Sequence, residues 1–259
     1  MRKLLVLAPF AILSFPAFAA DAVMDVEPQP PMAEIVPVGD WTGFYAGVQI
    51  GGAFGGDSGV INLSPFTPGL QTAFAPGFSG DFDNGVIGGV HVGYDWQFGQ
   101  IVVGGILDLT GTDIGDVQQG RSITPATYTI GRDLDYLATL RARIGYTVTP
   151  SILAYATGGI AYGKVDFSYS QPGSGAAFNT SGGQDNDIGY TVGAGVEAKV
   201  TQKISLGLEY LYTNLGGNDF TANLVNGPFG APGSAGTNLT GSDGDFDFHT
   251  VQMKLSYRF

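Results

Sequence analysis

The chain has 259 residues, no cysteine, 42 glycines and a net charge of −12. Charged residues make up 13% and hydrophobic residues 44%, which excludes a disulfide scaffold, a thiolate metal centre and a disordered acidic chain. With 11 basic residues against 23 acidic ones, nucleic acid is not an expected partner, because that contact needs clustered Lys and Arg.

Residues 1–19 read as a secretory signal. Arg2 and Lys3 form a positive start, and an apolar run from Leu4 to Phe18 is broken by Pro9 and Pro16. Ala17 and Ala19 place small residues at the −3 and −1 positions of a cleavage after Ala19. A retained membrane helix would need roughly 20 uninterrupted apolar residues. Residues 20–40 then hold Pro28, Pro30, Pro31 and Pro37 among Asp21, Asp25, Glu27, Glu34 and Asp40, with no Lys or Arg. Proline fixes φ and removes backbone donors, so an extended acidic tail on the periplasmic side is expected.

From residue 41 to 259 the recurring pattern is alternation with period two. In the first segment Phe44, Ala46, Val48, Ile50 and Phe54 share one face, and Gly43, Gly47, Gln49 and Gly51 the other. That is a strand with one apolar face. Seven more follow at about 84–97, 101–111, 134–147, 152–168, 187–200, 204–214 and 246–259. Their length suits a membrane strand of roughly 9–11 residues. The connections alternate strictly. Those at 98–100, 148–151 and 201–203 are short, whereas those at about 55–83, 112–133, 169–186 and 215–245 are long and rich in Gly, Pro, Ser and Asn. An up-and-down barrel puts alternate connections at opposite ends, with short periplasmic turns and longer external loops. The expected fold is therefore all-β: an eight-stranded antiparallel up-and-down transmembrane β-barrel. The strand count is open by one hairpin, and the register of 152–168 is also open, since Gly158-Gly159 permits a bulge.

The minority face decides the solvent. A soluble barrel buries its apolar face, whereas a membrane barrel turns it to lipid. In 134–146 the face of Leu134, Tyr136, Ala138, Leu140 and Ile144 opposes Asp135, Thr139, Arg141 and Arg143. Further along, Val192 and Val196 oppose Glu197 and Lys199, Leu208 opposes Glu209, and Met253 and Leu255 oppose Lys254 and Arg258. Trp41, Phe44, Tyr94, Trp96, Tyr146, Tyr257 and Phe259 collect at the short-turn ends. Phe54, Tyr136, Tyr190, Tyr210 and Tyr212 collect toward the long loops, as two interfacial girdles would. The interior is then expected to hold a charge network of Asp95, Asp108, Arg141, Arg143, Glu197, Lys199, Glu209, Lys254 and Arg258. Eight strands leave an interior just wide enough for side chains to fill, and mixed charges there should pair. A structural polar plug is the favoured reading, with a narrow ion path as the alternative.

Catalytic and metal chemistry find little support. His91 falls on the interior face, and His249 lies near Thr250 and Ser242 without the spacing of a triad. The run Asp243-Gly244-Asp245-Phe246-Asp247 fails the EF-hand pattern, because Phe248 and Lys254 occupy the places of its Gly and Glu. No cofactor, metal or catalytic residue is expected.

The entry strand Asp40-Trp41-Thr42-Gly43-Phe44-Tyr45-Ala46-Gly47 and the terminal Ser256-Tyr257-Arg258-Phe259 carry a resemblance. So do Thr157-Gly158-Gly159-Ile160-Ala161-Tyr162-Gly163 and Thr191-Val192-Gly193-Ala194-Gly195-Val196-Glu197. With the signal and acidic tail, the chain resembles the Brucella- and Bartonella-type outer-membrane proteins of alphaproteobacteria, the porin-family or opacity-like barrels. The resemblance implies an outer-membrane surface protein without catalytic residues. It also implies that Phe259 is an assembly signal read by the barrel-assembly machinery. Outer-membrane lipids and lipopolysaccharide are the other expected partners. The expected role is structural, with loop display. A narrow porin-like channel, loop binding of hemin or host molecules and, last, a lipid-modifying enzyme are the alternatives.

Overall fold

The computed structural model describes residues 39–259, apart from 56–57, 124–125, 173–176, 183–186, 218–219, 232–233 and 243–244. The expected signal and nearly all of the acidic tail lie outside the described residues. Among the described residues there are thirteen strands: β1 (Gly43–Phe54), β2 (Ile61–Ser64), β3 (Gly77–Asp83), β4 (Gly85–Phe98), β5 (Ile101–Arg121), β6 (Thr127–Thr149), β7 (Ile152–Ser170), β8 (Ala177–Ser181), β9 (Asp187–Lys199), β10 (Ile204–Gly217), β11 (Thr221–Val225), β12 (Thr237–Gly241) and β13 (Asp245–Arg258). A short α-helix, α1 (Pro68–Ala73), is capped by the Thr67 hydroxyl, with proline in its first turn.

Eight of the strands close on themselves. The order β4-β1-β13-β10-β9-β7-β6 is completed by β5, which pairs with both β4 and β6. Every pairing in the ring is antiparallel, and the seam joins first strand to last, from Tyr45 opposite Arg258 to Phe54 opposite His249. Closure removes the open edge that a flat sheet would expose. The alternation of side chains then becomes a sorting of inside from outside. Along β13, Phe246, Phe248, Thr250, Gln252, Lys254, Ser256 and Arg258 are buried, while Val251, Met253, Leu255 and Tyr257 are exposed. The outer wall carries Ile50, Val90, Leu107, Leu140, Ile160, Val192 and Leu208, all exposed. An apolar exterior around a polar interior is the arrangement that lipid requires.

The long-connection end departs from the expectation of loops. The segment 112–133 is mostly strand, because β5 runs on to Arg121 and β6 begins at Thr127. Three other connections contribute to a second antiparallel sheet of order β2-β12-β11-β8. Beneath that sheet lies an apolar cluster that includes Ile61, Leu63, Leu70, Phe74, Ala222, Leu224, Phe229 and Leu239, packed with Tyr128 and Ile130 of β6. The connections thus bury their own core and form a cap. β3 continues the line of β4, pairing with the upper part of β5 from Asp83 opposite Gly115 to Gly77 opposite Arg121.

Two placements on the barrel, the parity of β6 and the site of Trp41, differ from the sequence expectation, and the open register of β7 is fixed. The pairing of β6 with both neighbours shifts between Leu134 and Tyr136. This bulge reverses the parity of β6, so Leu134 is buried and Asp135 is exposed, the opposite of the simple alternation. In β7, pairing with β9 is unbroken from Ile152 to Gly163, so Gly158-Gly159 makes no bulge. Leu153, Tyr155, Thr157, Ala161 and Val165 face inward. Trp41 is fully buried rather than part of the girdle. It packs with Val102, Leu153 and Tyr155 and fills the short-turn mouth.

Candidate functional site: stacked charge layers in the barrel interior

The inward positions stack in layers. At the short-turn end, β4 supplies Asp95, β6 Arg143, β9 Glu197 and β13 Arg258. Arg143 donates from Nε to Asp95 Oδ1 at 2.8 Å and from Nη1 to Glu197 Oε2 at 2.9 Å. Its second bond to Asp95, from Nη2, makes the contact bidentate. Arg258 Nη2 donates to the same Asp95 at 2.9 Å and stands 4.0 Å from Glu197. The Ser205 hydroxyl donates to the remaining Glu197 oxygen at 2.6 Å. The Arg143 guanidinium also lies between two rings, 4.9 Å from the centre of Tyr45 and 5.0 Å from that of Tyr155.

A turn higher, β5 brings Asp108, β6 Arg141, β10 Glu209 and β13 Lys254. Arg141 Nη2 reaches Asp108 at 2.7 Å and Glu209 at 3.0 Å. Lys254 Nζ reaches the same two carboxylates at 3.1 and 3.4 Å. Glu209 also accepts from Tyr155 at 2.9 Å and from Gln252 at 2.7 Å. Beside this layer, His91 lies 2.8 Å from both Gln49 Oε1 and Ser256 Oγ. With Gln49 Oε1 as the acceptor, a neutral His91 ring carries its proton on Nδ1 and accepts from Ser256 on Nε2.

Each layer therefore pairs two cations with two anions. Burying an ionised group alone would cost many kcal/mol. Shared pairing and the hydrogen bonds around it offset that cost, although such pairs contribute less net stability than their geometry suggests. Glycines on the inner face make the room. A Cβ on Gly104 would stand 2.1 Å from Asp95 Oδ1, and one on Gly195 would stand 2.6 Å from the Tyr155 ring.

Lys199 stands apart from the carboxylate network to which the sequence assigned it. It donates from Nζ to the Asp40 carbonyl at 2.5 Å and lies 4.6 Å over the Trp41 ring. Arg258 lies over Trp41 as well, at 5.4 Å, and donates from Nη1 to the Trp41 carbonyl and, at 3.3 Å, to that of Gly43. Trp41 N donates to Gln97 Oε1 at 2.7 Å. The entry segment is thereby clamped to the last strand and to β4. Outside the strands, Asp40 accepts from Thr42 N at 2.8 Å. That backbone donor, with smaller help from Lys199 and Arg258, holds its carboxyl below the usual range.

A third pair was missed because it falls where a loop was expected. Arg132 grips Asp116 bidentately, at 2.7 and 2.5 Å, directly across β6 and β5. The alternation Ile114, Asp116, Gln118 against Ile130, Arg132, Leu134 was the available signal. Between this pair and the lower layers sits an apolar cluster that includes Ile87, Ile114, Leu134, Leu137, Val165, Leu215, Phe246 and Phe248. The cavity that borders the Arg141 layer has a volume of about 10 Å³.

Phe259 is exposed at the end of the chain, packed edge-on against Tyr257 with ring centres 5.1 Å apart. His249 faces outward and contacts the Tyr210 hydroxyl at 2.7 Å. Thr250 faces inward, away from His249, and Ser242 accepts from Val60 N. Among the described residues no three His, Asp or Glu side chains group as metal ligands.

A closed eight-strand ring, apolar outside and filled with paired charge inside, defines an integral membrane barrel. The chain belongs to the outer membrane protein beta-barrel domain family, whose model matches residues 5–259. It is 31% identical over 264 residues to the 31 kDa outer-membrane immunogenic protein of Brucella melitensis, covering all of both chains. It is 36% identical over 188 residues to the 22 kDa outer membrane protein of Rhizobium leguminosarum bv. viciae, covering 73% of this chain and 71% of the relative. Ail of Yersinia pestis is similar over 84% of this chain and 99% of its own, at 12% identity and a TM-score of 0.36. The protein is an integral outer-membrane β-barrel surface protein of the alphaproteobacterial type. These relatives are named for their location and immunogenicity, not for catalysis.

Proposed function

We propose that the protein is a sealed barrel that anchors and displays its cap at the cell surface, without enzymatic activity and without an open pore. The observation that carries this reading is the cap itself. Three separate connections fold into one sheet over their own apolar cluster, at the end of a barrel whose interior is filled by paired charges. A diffusion pore needs a continuous water path, whereas here polar and apolar layers alternate along the axis.

In this reading the short turns face the periplasm and the cap faces outward, the usual sense for such barrels. Residues 1–19 are removed on export, and residues 20–40 stay on the periplasmic side. Phe259 is the terminal aromatic recognised by the barrel-assembly machinery, and the two aromatic girdles meet outer-membrane lipid and lipopolysaccharide. The immunogenicity named for the Brucella relatives fits a displayed cap.

Proteolysis of intact cells tests the display. A protease of broad specificity should cut within 228–236 and spare 98–100 and 201–203. Cutting at the short turns while the cap connections survive would reverse the orientation.

A further inference from the structure

A small cavity lies beside the Arg141 layer. Its lining includes Asp108, Thr110, Arg141, Thr250 and Gln252, roofed by Leu211 and Phe248. Arg141 has a fully buried side chain. Its Nε donates to Thr139, and its Nη2 donates to Asp108 and Glu209. Its Nη1 has no partner among the described residues, and neither has the buried Thr250 Oγ1. Leaving two buried polar atoms unmet in one place is costly, and native interiors resolve such gaps with ordered water.

We propose that this cavity holds a single structural water, which accepts from Arg141 Nη1 and bonds to the Thr250 hydroxyl. Three observations converge on water. The volume of about 10 Å³ matches the roughly 10–15 Å³ that one water requires. The lining offers further partners, since Thr110 Oγ1 accepts from Gln49 at 2.9 Å and keeps its own hydrogen to donate. Finally, the layer is electrically balanced, Arg141 and Lys254 against Asp108 and Glu209. An added anion or cation would leave a net charge in a low-dielectric interior, which is costly. The water completes the hydrogen bonding of the middle layer and joins it to the apolar cluster above.

A crystal structure of the refolded chain, at a resolution that shows ordered water, tests this. One density peak should lie within hydrogen-bond distance of both Arg141 Nη1 and Thr250 Oγ1. After a bromide soak that peak should give no anomalous signal. In Thr250→Ser the peak should persist with an unchanged Tm, and in Thr250→Val it should vanish with a lowered Tm. An empty wild-type cavity, an anomalous bromide peak there, or a peak that survives in Thr250→Val would each overturn the assignment. If Thr250→Val does not fold, the wild-type density, the bromide soak and Thr250→Ser decide the question.

Discussion

Glu209 accepts from four different side chains: Arg141, Lys254, Tyr155 and Gln252. Converting it to Gln removes one of the two anions that balance Arg141 and Lys254 in a buried layer. Breaking such a pair from one side costs on the order of 3–5 kcal/mol, so Glu209→Gln should lower the thermal unfolding temperature in detergent. Adding Lys254→Met restores neutrality and should recover part of the loss. A double-mutant cycle on unfolding should therefore show coupling, and additive effects would mean that the two groups do not share one layer. Trp41→Ala empties a fully buried site at the short-turn mouth and should cost about 3–5 kcal/mol, read from the same unfolding curves. Asp40 adds a pH dependence. Its folded carboxyl lies below the unfolded value, so its stabilisation is present above about pH 4 and fades as pH falls through the folded value. The stability difference between wild type and Asp40→Asn should shrink toward zero in acid. A difference that grows in acid would contradict the Thr42 contact.

At the scale of elements, the eight barrel strands were legible because lipid enforces a strict rule. Every second residue of a spanning strand must be apolar, and that leaves a period-two trace over nine or more residues. The interior charges were legible for the same reason, as the polar exceptions on the opposite face. Beyond the membrane the rule lapses. The upper parts of β5 and β6 carry Asp116, Gln118 and Arg132 beside Ile114 and Ile130, and they read as loop although they are strand. The bulge between Leu134 and Tyr136 defeated simple alternation by changing which residues face in. Lys199 followed the inward parity, but the Trp41 ring and the Asp40 carbonyl decide where its ammonium rests. The cap sheet was least legible. Its strands have 4 or 5 residues, and their partners are distant in sequence, so no local period announces them. Leu239 is fully buried there, and Leu239→Ala should cost about 2–5 kcal/mol. Because the cap's apolar cluster is separate from the one inside the barrel, that loss should appear as faster proteolysis of 228–236, with the heat-modifiable gel mobility of the barrel retained. Loss of heat-modifiability in this variant would show that cap and barrel fold as one unit.

For the whole molecule, the proposed function requires a barrel that is closed along its axis. Trp41 fills the short-turn mouth, two balanced charge layers occupy the spanning region, an apolar cluster lies above them, and the Arg132–Asp116 pair precedes the cap. A wide aqueous lumen would solvate these charges individually and would not require them to pair. Single-channel recording of the refolded full-length chain in planar bilayers tests this most directly. A sealed barrel gives a silent membrane at moderate voltage for the wild type, and for the neutral pair Glu209→Gln with Lys254→Met as well. Large, stable conductance steps from the wild-type protein would contradict it.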